Sequence, residues 1–182
     1  LYPQVIELHQ LLKNELDVKN YRESINAVKN SVLTAFYTPE VIPLAVYESL
    51  SQLQIQPKRL YEPSAGAGIF MTTALEHFLH LERIAAVEKD LLTGKILQAI
   101  ASSFSISNEV NISGFEEILP NEIKPNDFII SNIPFGNFSV YDPMIKDQSI
   151  KEKIHNYFFA KGLDHLGDGG LMAYLTTDAF LN

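Results

Sequence analysis

The chain has 182 residues, of which 46% are hydrophobic and 20% are charged. This composition is typical of a globular protein, and the length suffices for one domain with its own core. The sequence contains no Cys, which excludes disulfides, cysteine metal ligands and a cysteine nucleophile. With 14 basic and 22 acidic side chains the net charge is −8, so phosphate contacts from this chain alone are not expected to hold a nucleic acid.

Signals for membrane insertion and export are missing from the sequence. It contains no run of about 18 apolar residues, and its N-terminus lacks the basic, apolar and small-residue regions of a signal peptide. We therefore expect a cytoplasmic protein. The chain starts at Leu1 rather than Met and ends at Asn182 shortly after an apolar run, so we expect it to be a piece of a longer protein.

Helical patterns fill the first part of the chain. Apolar residues recur at helical spacing within residues 1–30, which are predicted to be helical. Thr38 followed by Pro39 predicts another helix that extends to about Ser51, with Thr38 as its N-cap and Pro39 in its first turn. We assign residues 1–56 to an N-terminal helical segment.

From residue 57 onward, short apolar runs alternate with helical patterns. This alternation predicts an α/β domain over residues 57–182, with a mostly parallel sheet and helices on both faces in a three-layer sandwich. Ligands of such sheets bind at the carboxyl ends of the strands. The predicted strands are 59–62, 83–88, 110–113, 127–131 and 171–176, and the predicted helices are 69–79, 91–101 and 151–166, the last one stopped by residues 167–170.

A glycine-rich turn separates the first strand from its helix. Gly66 and Gly68 let the backbone turn tightly and approach a ligand closely, and the helix N-terminus behind them favours polar or anionic ligand groups. The alternative is an ordinary strand-to-helix turn that contains glycine. Met71 stands where a dinucleotide-binding turn has its third glycine, which argues against a nicotinamide or flavin enzyme.

Glu88 ends the second predicted strand, 20 residues after Gly68. A carboxylate at this place can accept hydrogen bonds from both hydroxyls of an adenosine ribose. The alternative is a solvated loop charge, and the spacing favours ribose binding.

The fourth predicted strand runs into an unusual corner at residues 131–135. Pro134 ends the strand and stiffens the corner, which leaves Asn132 at the strand tip with its side-chain oxygen and nearby carbonyls pointing outward. Two acceptors beside the ring of Phe135 suit a planar substrate that carries an amino group. The alternative is an ordinary Asn-x-Pro turn with Phe135 in the core.

Together these features resemble the amino-methyltransferases that use S-adenosylmethionine, and most closely the adenine-specific DNA methyltransferases of the gamma type. That family carries an F-x-T-P segment, a D/E-P-x-x-G-x-G turn, an acidic residue at a strand end, and N-P-P-Y/F. The resemblance covers residues 31–182. The Asn-Ile-Pro-Phe-Gly form is similar to the variant in large multidomain methylases of bacterial mobile elements. The matching segments, in this order, are residues 36–39, 62–68, 88 and 132–135.

The resemblance implies a Rossmann-like class I methyltransferase fold with S-adenosylmethionine as cofactor. The F-x-T-P segment would close over the methionine part, the glycine turn would hold the amino-acid end, and Glu88 would bind the ribose. A residue after the third strand would contact the adenine ring: Glu116 is preferred, Phe115 is second, and a merely solvated Glu116-Glu117 pair is the alternative. The implied cofactor-binding residues are Phe36, Tyr37, Thr38, Pro39, Glu62, Pro63, Ser64, Ala65, Gly66, Gly68, Glu88, Phe115 and Glu116.

The resemblance further implies that Asn132, Ile133, Pro134 and Phe135 are catalytic and that no metal takes part. The amino lone pair of adenine is delocalised into the ring. The Asn132 side chain and the Ile133 carbonyl would each accept a hydrogen bond from one N–H of this amino group, and these two hydrogen bonds localise the lone pair on the nitrogen. Positioning of the two reactants then aids the in-line attack of this nitrogen on the sulfonium methyl group. Phe135 would stack on the target base, which must leave the DNA helix. Ile133 stands where the family usually has Pro, but only its carbonyl is needed.

The implied function is that of a site-specific adenine-N6 DNA methyltransferase from a restriction-modification or mobile-element protein. Since the family's sheet has seven strands and about five fit before Asn182, we expect a truncated sheet, DNA held by a recognition region outside this chain, and an isolated chain that is inactive. Phe138 and Tyr141 are candidates for contact with nucleic acid, or belong to an ordinary loop. The alternatives are a protein-glutamine or RNA-base amino-methyltransferase, and a non-catalytic cofactor-binding module of a larger assembly.

Overall fold

A computed structural model of the chain describes residues 38–119, 125–136 and 138–177. It also describes isolated positions between residues 10 and 25, which are helical apart from Asp17. Half of the predicted N-terminal helical segment, including the cofactor-lid residues Phe36 and Tyr37, lies outside the described residues, as does the tail after Thr177. Within the described part, no helix has the length and apolar character needed to cross a bilayer.

Five parallel strands form one sheet in the order β3-β2-β1-β4-β5, as predicted for an α/β domain. Because the order reverses between β1 and β4, the carboxyl ends of these two strands flank a topological switch point, where ligands of open parallel sheets bind. The strands are β1 (Arg59–Glu62), β2 (Arg83–Glu88), β3 (Ser107–Ile112), β4 (Asn126–Asn132) and β5 (Leu166–Leu175).

Helices cover both faces of the sheet and give it three layers. The helices are α1 (Val41–Gln52), α2 (Ile69–His77), α3 (Leu91–Ala101), a short α4 (Gln148–Lys151) and α5 (Ile154–Asp164), with a 3₁₀ turn at Phe115–Glu117. Side chains alternate along the strands, so Leu60 and Tyr61 of β1 enter different cores. Leu60 packs with Tyr47, Phe70 and Leu97 from α1, α2 and α3. Tyr61 packs with Phe115 of the 3₁₀ turn and with Tyr157 and Phe158 of α5.

The start of α1 differs from the prediction. The helix begins at Val41 with Glu40 as its N-cap residue, and Glu40 makes no side-chain cap hydrogen bond. Thr38 is therefore not the N-cap. Its hydroxyl instead accepts a hydrogen bond from the side chain of Asn132, 94 residues away in sequence, so a tertiary contact replaces the predicted local one.

Other boundaries also differ from the prediction. The helix predicted over residues 151–166 is shorter in the structure, where α5 spans Ile154–Asp164 and Lys151 ends the separate helix α4. The glycine-rich residues 167–170 belong to β5 rather than forming a stop before it. The register between β4 and β5 is irregular here, since Leu166 pairs with Asn126 but Leu171 pairs with Phe128. This irregularity accommodates the glycine-rich residues within the strand. The edge strand β3 starts at Ser107, earlier than predicted, because its polar residues pair through the backbone with β2.

Candidate functional site

The predicted site residues meet along the carboxyl edge of the sheet. Hydrogen bonds connect Thr38 to Asn132 at the end of β4, Ser131 to Ser64 of the glycine turn, and Gly66 of that turn to Glu88 at the end of β2. Four segments that lie far apart in sequence thus line one edge. This is the edge where a parallel sheet binds its ligands.

The glycine turn has the backbone geometry that its sequence suggests. Gly66 and Gly68 have φ angles of 54° and 84°, in the left-handed region that costs other residues roughly 1–2 kcal/mol. A Cβ atom on Gly68 would lie 2.5 Å from a methyl carbon of Leu97, so α3 packs against this glycine. A Cβ on Gly66 would meet nothing within 4 Å. Gly68 therefore serves packing, whereas Gly66 borders open space.

Glu88 holds the turn from the neighbouring strand. Its Oε2 accepts a hydrogen bond of 2.7 Å from the Gly66 N–H, and its Oε1 accepts one of 2.7 Å from the Asp90 N–H. The Val87 carbonyl also accepts a hydrogen bond from the Ala65 N–H. The carboxylate lies partly exposed beside the open space at Gly66 rather than in a solvated loop.

Glu62, the last residue of β1, is 1% exposed. Its Oε2 has no hydrogen-bond partner among the described residues. Burial raises the pKa of this carboxyl well above its usual range, and the charge of Glu88 raises it further. Because an unpaired buried acceptor costs free energy, this oxygen is a candidate acceptor for a ligand.

Asn132 stands at the tip of β4 with its amide oriented by Thr38. Its Nδ2 donates a hydrogen bond of 3.1 Å to the Thr38 hydroxyl, which leaves Oδ1 as the acceptor for another group. The preceding residue, Ser131, donates through its hydroxyl to the Ser64 carbonyl at 3.0 Å. The asparagine is thereby fixed between the glycine turn and the segment before α1.

The corner after Asn132 is anchored by Ile133. Its side chain is fully buried in the core shared with Tyr61 and Phe115, and its N–H donates to the carbonyl of Leu175 at the end of β5. The residue that departs from the family pattern thus gains a packing contact. Pro134 and Phe135 are half-buried next to it.

The three residues of the 3₁₀ turn after β3 differ in burial and in hydrogen-bond partners. The ring of Phe115 is 3% exposed and packs among aromatic side chains of the core, so it is not placed for contact with a ligand's adenine. Glu116 is half-buried, and its Oε1 lies 2.5 Å from the ammonium of Lys89, the residue after Glu88. Glu117 is exposed and accepts a hydrogen bond from the Gly114 N–H. Of the three, Glu116 faces the end of β2.

A buried ion pair beside the site was not predicted. Asp142, in the segment after the Asn132 corner, is 0% exposed and Lys161 of α5 is 3% exposed, with 2.8 Å between Oδ2 and Nζ. The sequence contains a signal for it: Lys161 falls on the face of α5 that carries the buried residues Ile154, Tyr157 and Phe158. A lysine on such a face needs a partner.

Comparison with known proteins gives remote likenesses. No protein-family model matches the chain. It is 26% identical over 153 residues to Defense against restriction protein B of Escherichia phage P1; the match spans 82% of this chain but only 6% of that protein.

Several solved structures share the architecture. A protein from Listeria monocytogenes assigned to the class I S-adenosylmethionine-dependent methyltransferases has a TM-score of 0.65 at 18% identity, over 79% of this chain and 47% of that one. A modification subunit assigned to a type I restriction enzyme of Vibrio vulnificus has a TM-score of 0.62 at 17% identity, over 92% and 39%. A protein from Pyrococcus horikoshii assigned to the RNA methyltransferases has a TM-score of 0.55 at 19% identity, over 79% and 64%. At these identities the likeness concerns the fold, and the chain has the Rossmann-like fold of class I methyltransferases.

Proposed function

We propose that this chain is the catalytic part of a methyltransferase that uses S-adenosylmethionine and methylates the exocyclic amino group of adenine in DNA. One observation carries the proposal. Asn132, with its amide oriented by Thr38, stands at the switch point of a methyltransferase fold and is joined through Ser131 to the glycine turn.

The residues at the carboxyl edge fit the cofactor. Gly66 borders open space in which the backbone can be approached closely, and Glu88 lies beside it with a carboxylate suited to ribose hydroxyls. The unpartnered Oε2 of Glu62 is an acceptor suited to the ammonium group of an amino acid. Glu116, next to the end of β2, would receive the amino group of the adenine ring. S-adenosylmethionine supplies an electrophilic methyl group on a sulfonium centre.

The corner at Asn132 can activate an amino group. Because Nδ2 of Asn132 is hydrogen-bonded to Thr38, Oδ1 accepts a hydrogen bond from one N–H of the substrate's amino group. The Ile133 carbonyl accepts a hydrogen bond from the other N–H. Acceptors held in place on both N–H bonds favour the geometry in which the nitrogen lone pair is localised, and so they stabilise the transition state more than the ground state. Phe135 then holds the plane of the base by stacking.

DNA is the favoured substrate because of two likenesses. The phage protein is named for defence against restriction, and the Vibrio structure is assigned to the modification subunit of a type I restriction enzyme. The net charge of −8 fits a division of labour in which other parts of a longer protein grip the phosphates.

The test is methyl transfer by the full-length protein that contains this chain. Labelled S-adenosylmethionine and duplex DNA are mixed with the protein, and N6-methyladenine is measured by mass spectrometry. Asn132→Ala is expected to lower kcat by about 100-fold or more, as for removal of a preorganised polar group in a transition-state site. Asn108→Ala, at an exposed asparagine on the opposite edge of the sheet, is the matched control and should leave kcat unchanged.

Parallel reactions with RNA and with a glutamine-containing protein distinguish the rival amino-methyltransferases. Methyl transfer to either of these, and none to DNA, would replace the proposed substrate. Transfer to DNA that survives Asn132→Ala at the rate of the control would remove the role given to this residue.

A further inference from the structure

Asp142 gathers an unusual number of hydrogen bonds for a residue outside regular structure. Its Oδ2 accepts from the Lys161 ammonium at 2.8 Å and from the Tyr157 hydroxyl at 2.7 Å, while its Oδ1 accepts from the Met144 N–H. The Lys151 ammonium donates to its main-chain carbonyl at 3.1 Å. Burial by itself raises the pKa of Asp142, but the hydrogen bonds to its carboxylate from Lys161, Tyr157 and Met144 outweigh it and hold the pKa below its usual range.

Lys161 reaches a second partner on the other side of the site. Its Nζ donates to the main-chain carbonyl of Glu116 at 3.1 Å and lies 5.4 Å and 5.7 Å from the ring centres of Phe115 and Tyr157. One buried ammonium therefore joins the 3₁₀ turn after β3 to the segment after the Asn132 corner. Among the described residues, no main-chain hydrogen bond joins these two segments.

The two joined segments serve different ligands under the proposed function. Glu116 lies next to the end of β2, where the adenine ring of the cofactor is proposed to bind. Residues 138–147 begin three positions after Phe135, which is proposed to stack on the target base. In this second segment Phe138 and Tyr141 are 49% and 84% exposed, whereas Asp142 between them and α4 is fully buried.

We infer that Lys161 is a positioning residue that couples the cofactor subsite at Glu116 to the target-base segment at residues 138–147. Its partner in the second segment is the carboxylate of Asp142. The inference rests on the proposed function, because it names how the two ligands of that site affect each other. A ligand at either subsite acts on a segment that Lys161 holds in common with the other subsite, so it biases the position of the segment that the second ligand meets. Such coupling is reciprocal between the two ligands.

An ion pair suits this task better than apolar packing would. A buried pair is a poor source of stability, because desolvation offsets the attraction. Its directional hydrogen bonds nevertheless fix two irregular segments to one point, which apolar contacts do with less geometric precision. The four acceptor contacts at Asp142 leave that segment one favourable position.

The experiment measures the Kd of S-adenosylmethionine for the full-length protein by calorimetry, with and without duplex DNA. In the wild type, DNA is expected to tighten cofactor binding by about fivefold or more, the lower end of typical coupling. Lys161→Met keeps the length of the side chain and removes its charge, and should bring this ratio close to one. Lys161→Arg should restore part of it.

Controls separate coupling from simple loss of stability. Leu81→Ala removes a buried side chain just before β2, at the opposite edge of the sheet; it should lower Tm and keep the wild-type ratio. Tyr157→Phe removes only the hydroxyl bonded to Asp142 and reports on the network should Lys161→Met fail to fold; the expected ratio is two- to threefold below that of the wild type.

A wild-type ratio of one, or a folded Lys161→Met protein with the wild-type ratio, overturns the inference while the proposed function stands. Absence of cofactor binding by the wild type overturns the proposed function itself.

Discussion

Asn132 and Thr38 show how a single side chain can be oriented by a residue far away in sequence. The motifs placed both residues among the site candidates, but not in contact with each other. Local rules assigned Thr38 to a helix cap, whereas its hydroxyl binds the Asn132 amide. A cap is a local preference, and it yields where a tertiary hydrogen bond competes for the same oxygen. That competition depends on the packing of α1 against the sheet, which spacing along the chain does not encode.

Thr38→Val tests this orientation. The variant keeps the shape of the side chain and removes the acceptor for Asn132 Nδ2, so the amide loses one of the bonds that fix its rotation. We expect kcat for methyl transfer to fall about tenfold, the equivalent of about 1.4 kcal/mol for one neutral hydrogen bond, with the Kd of the cofactor changed less. Thr38→Ser keeps a hydroxyl and should retain most of the activity. A Thr38→Val protein with the wild-type kcat would contradict the role of this contact.

Glu62 gives a prediction about stability and pH. Its folded pKa is raised by burial and by Glu88, so above the unfolded pKa of about 4.3 the native state holds a proton that the unfolded state has released. This group therefore makes the free energy of unfolding fall as pH rises through that window, by at most about 1.4 kcal/mol per pH unit. Glu62→Gln removes this titrating group. The free energy of unfolding of the variant minus that of the wild type should therefore increase from pH 5 to pH 7.

Urea denaturation of both proteins at pH 5, 6 and 7 measures this difference. The same variant should bind S-adenosylmethionine more weakly, because the proposed partner of the cofactor's ammonium group is lost. A stability difference that stays constant across the three pH values would show that Glu62 does not titrate as its environment indicates.

At the scale of elements, the two glycines of the glycine turn have different surroundings. Gly68 is packed under Leu97 of α3, whereas Gly66 faces open space. The sequence identified both as turn glycines from their spacing. It could not distinguish them, because the distinction depends on where α3 lies after β2.

Alanine at each glycine separates packing from ligand contact. Gly68→Ala combines a left-handed φ with a close contact, and should lower the free energy of unfolding by about 2–4 kcal/mol. Gly66→Ala carries only the backbone strain of about 1–2 kcal/mol, but its methyl group enters the space proposed for the cofactor, so the Kd should rise about tenfold or more. Denaturation and calorimetry measure the two effects. Equal cofactor affinity for wild type and Gly66→Ala would place the ligand elsewhere.

The element boundaries were predicted correctly where the hydrophobic pattern coincides with a local turn or cap. Strands β1 and β2 and helix α3 have the predicted limits, since each combines a clear apolar pattern with a turn or a cap such as Asp90. Residues 167–170 were misassigned because glycines usually stop an element. Here Gly170 lets β5 run close to the Asn126 carbonyl, which would lie 3.0 Å from an added Cβ.

At the scale of the whole molecule, the parallel order of the sheet brings the predicted residues together. Alternation of strands and helices was sufficient to predict the sheet, and it is at the carboxyl edge of this sheet that we propose the site. The buried network of Asp142 and Lys161 was not predicted, because it joins an irregular segment to a helix and has no fixed spacing. The chain corresponds to 6% of the phage relative and less than half of the Listeria and Vibrio structures, so the grip on DNA is proposed for parts outside this chain.

The central claim is that a methyl donor binds in the open space beside the glycine turn and Glu88, facing Asn132. The most direct measurement is a calorimetric titration of S-adenosylmethionine into the full-length protein and two glutamate variants at opposite ends of β2. Glu88→Ala should weaken binding by about 10-fold or more, the loss expected for hydrogen bonds to a charged group, while Glu82→Ala, at an exposed ion pair before the strand, should bind like the wild type. Equal affinity for all three proteins, or no binding by the wild type, would contradict the claim.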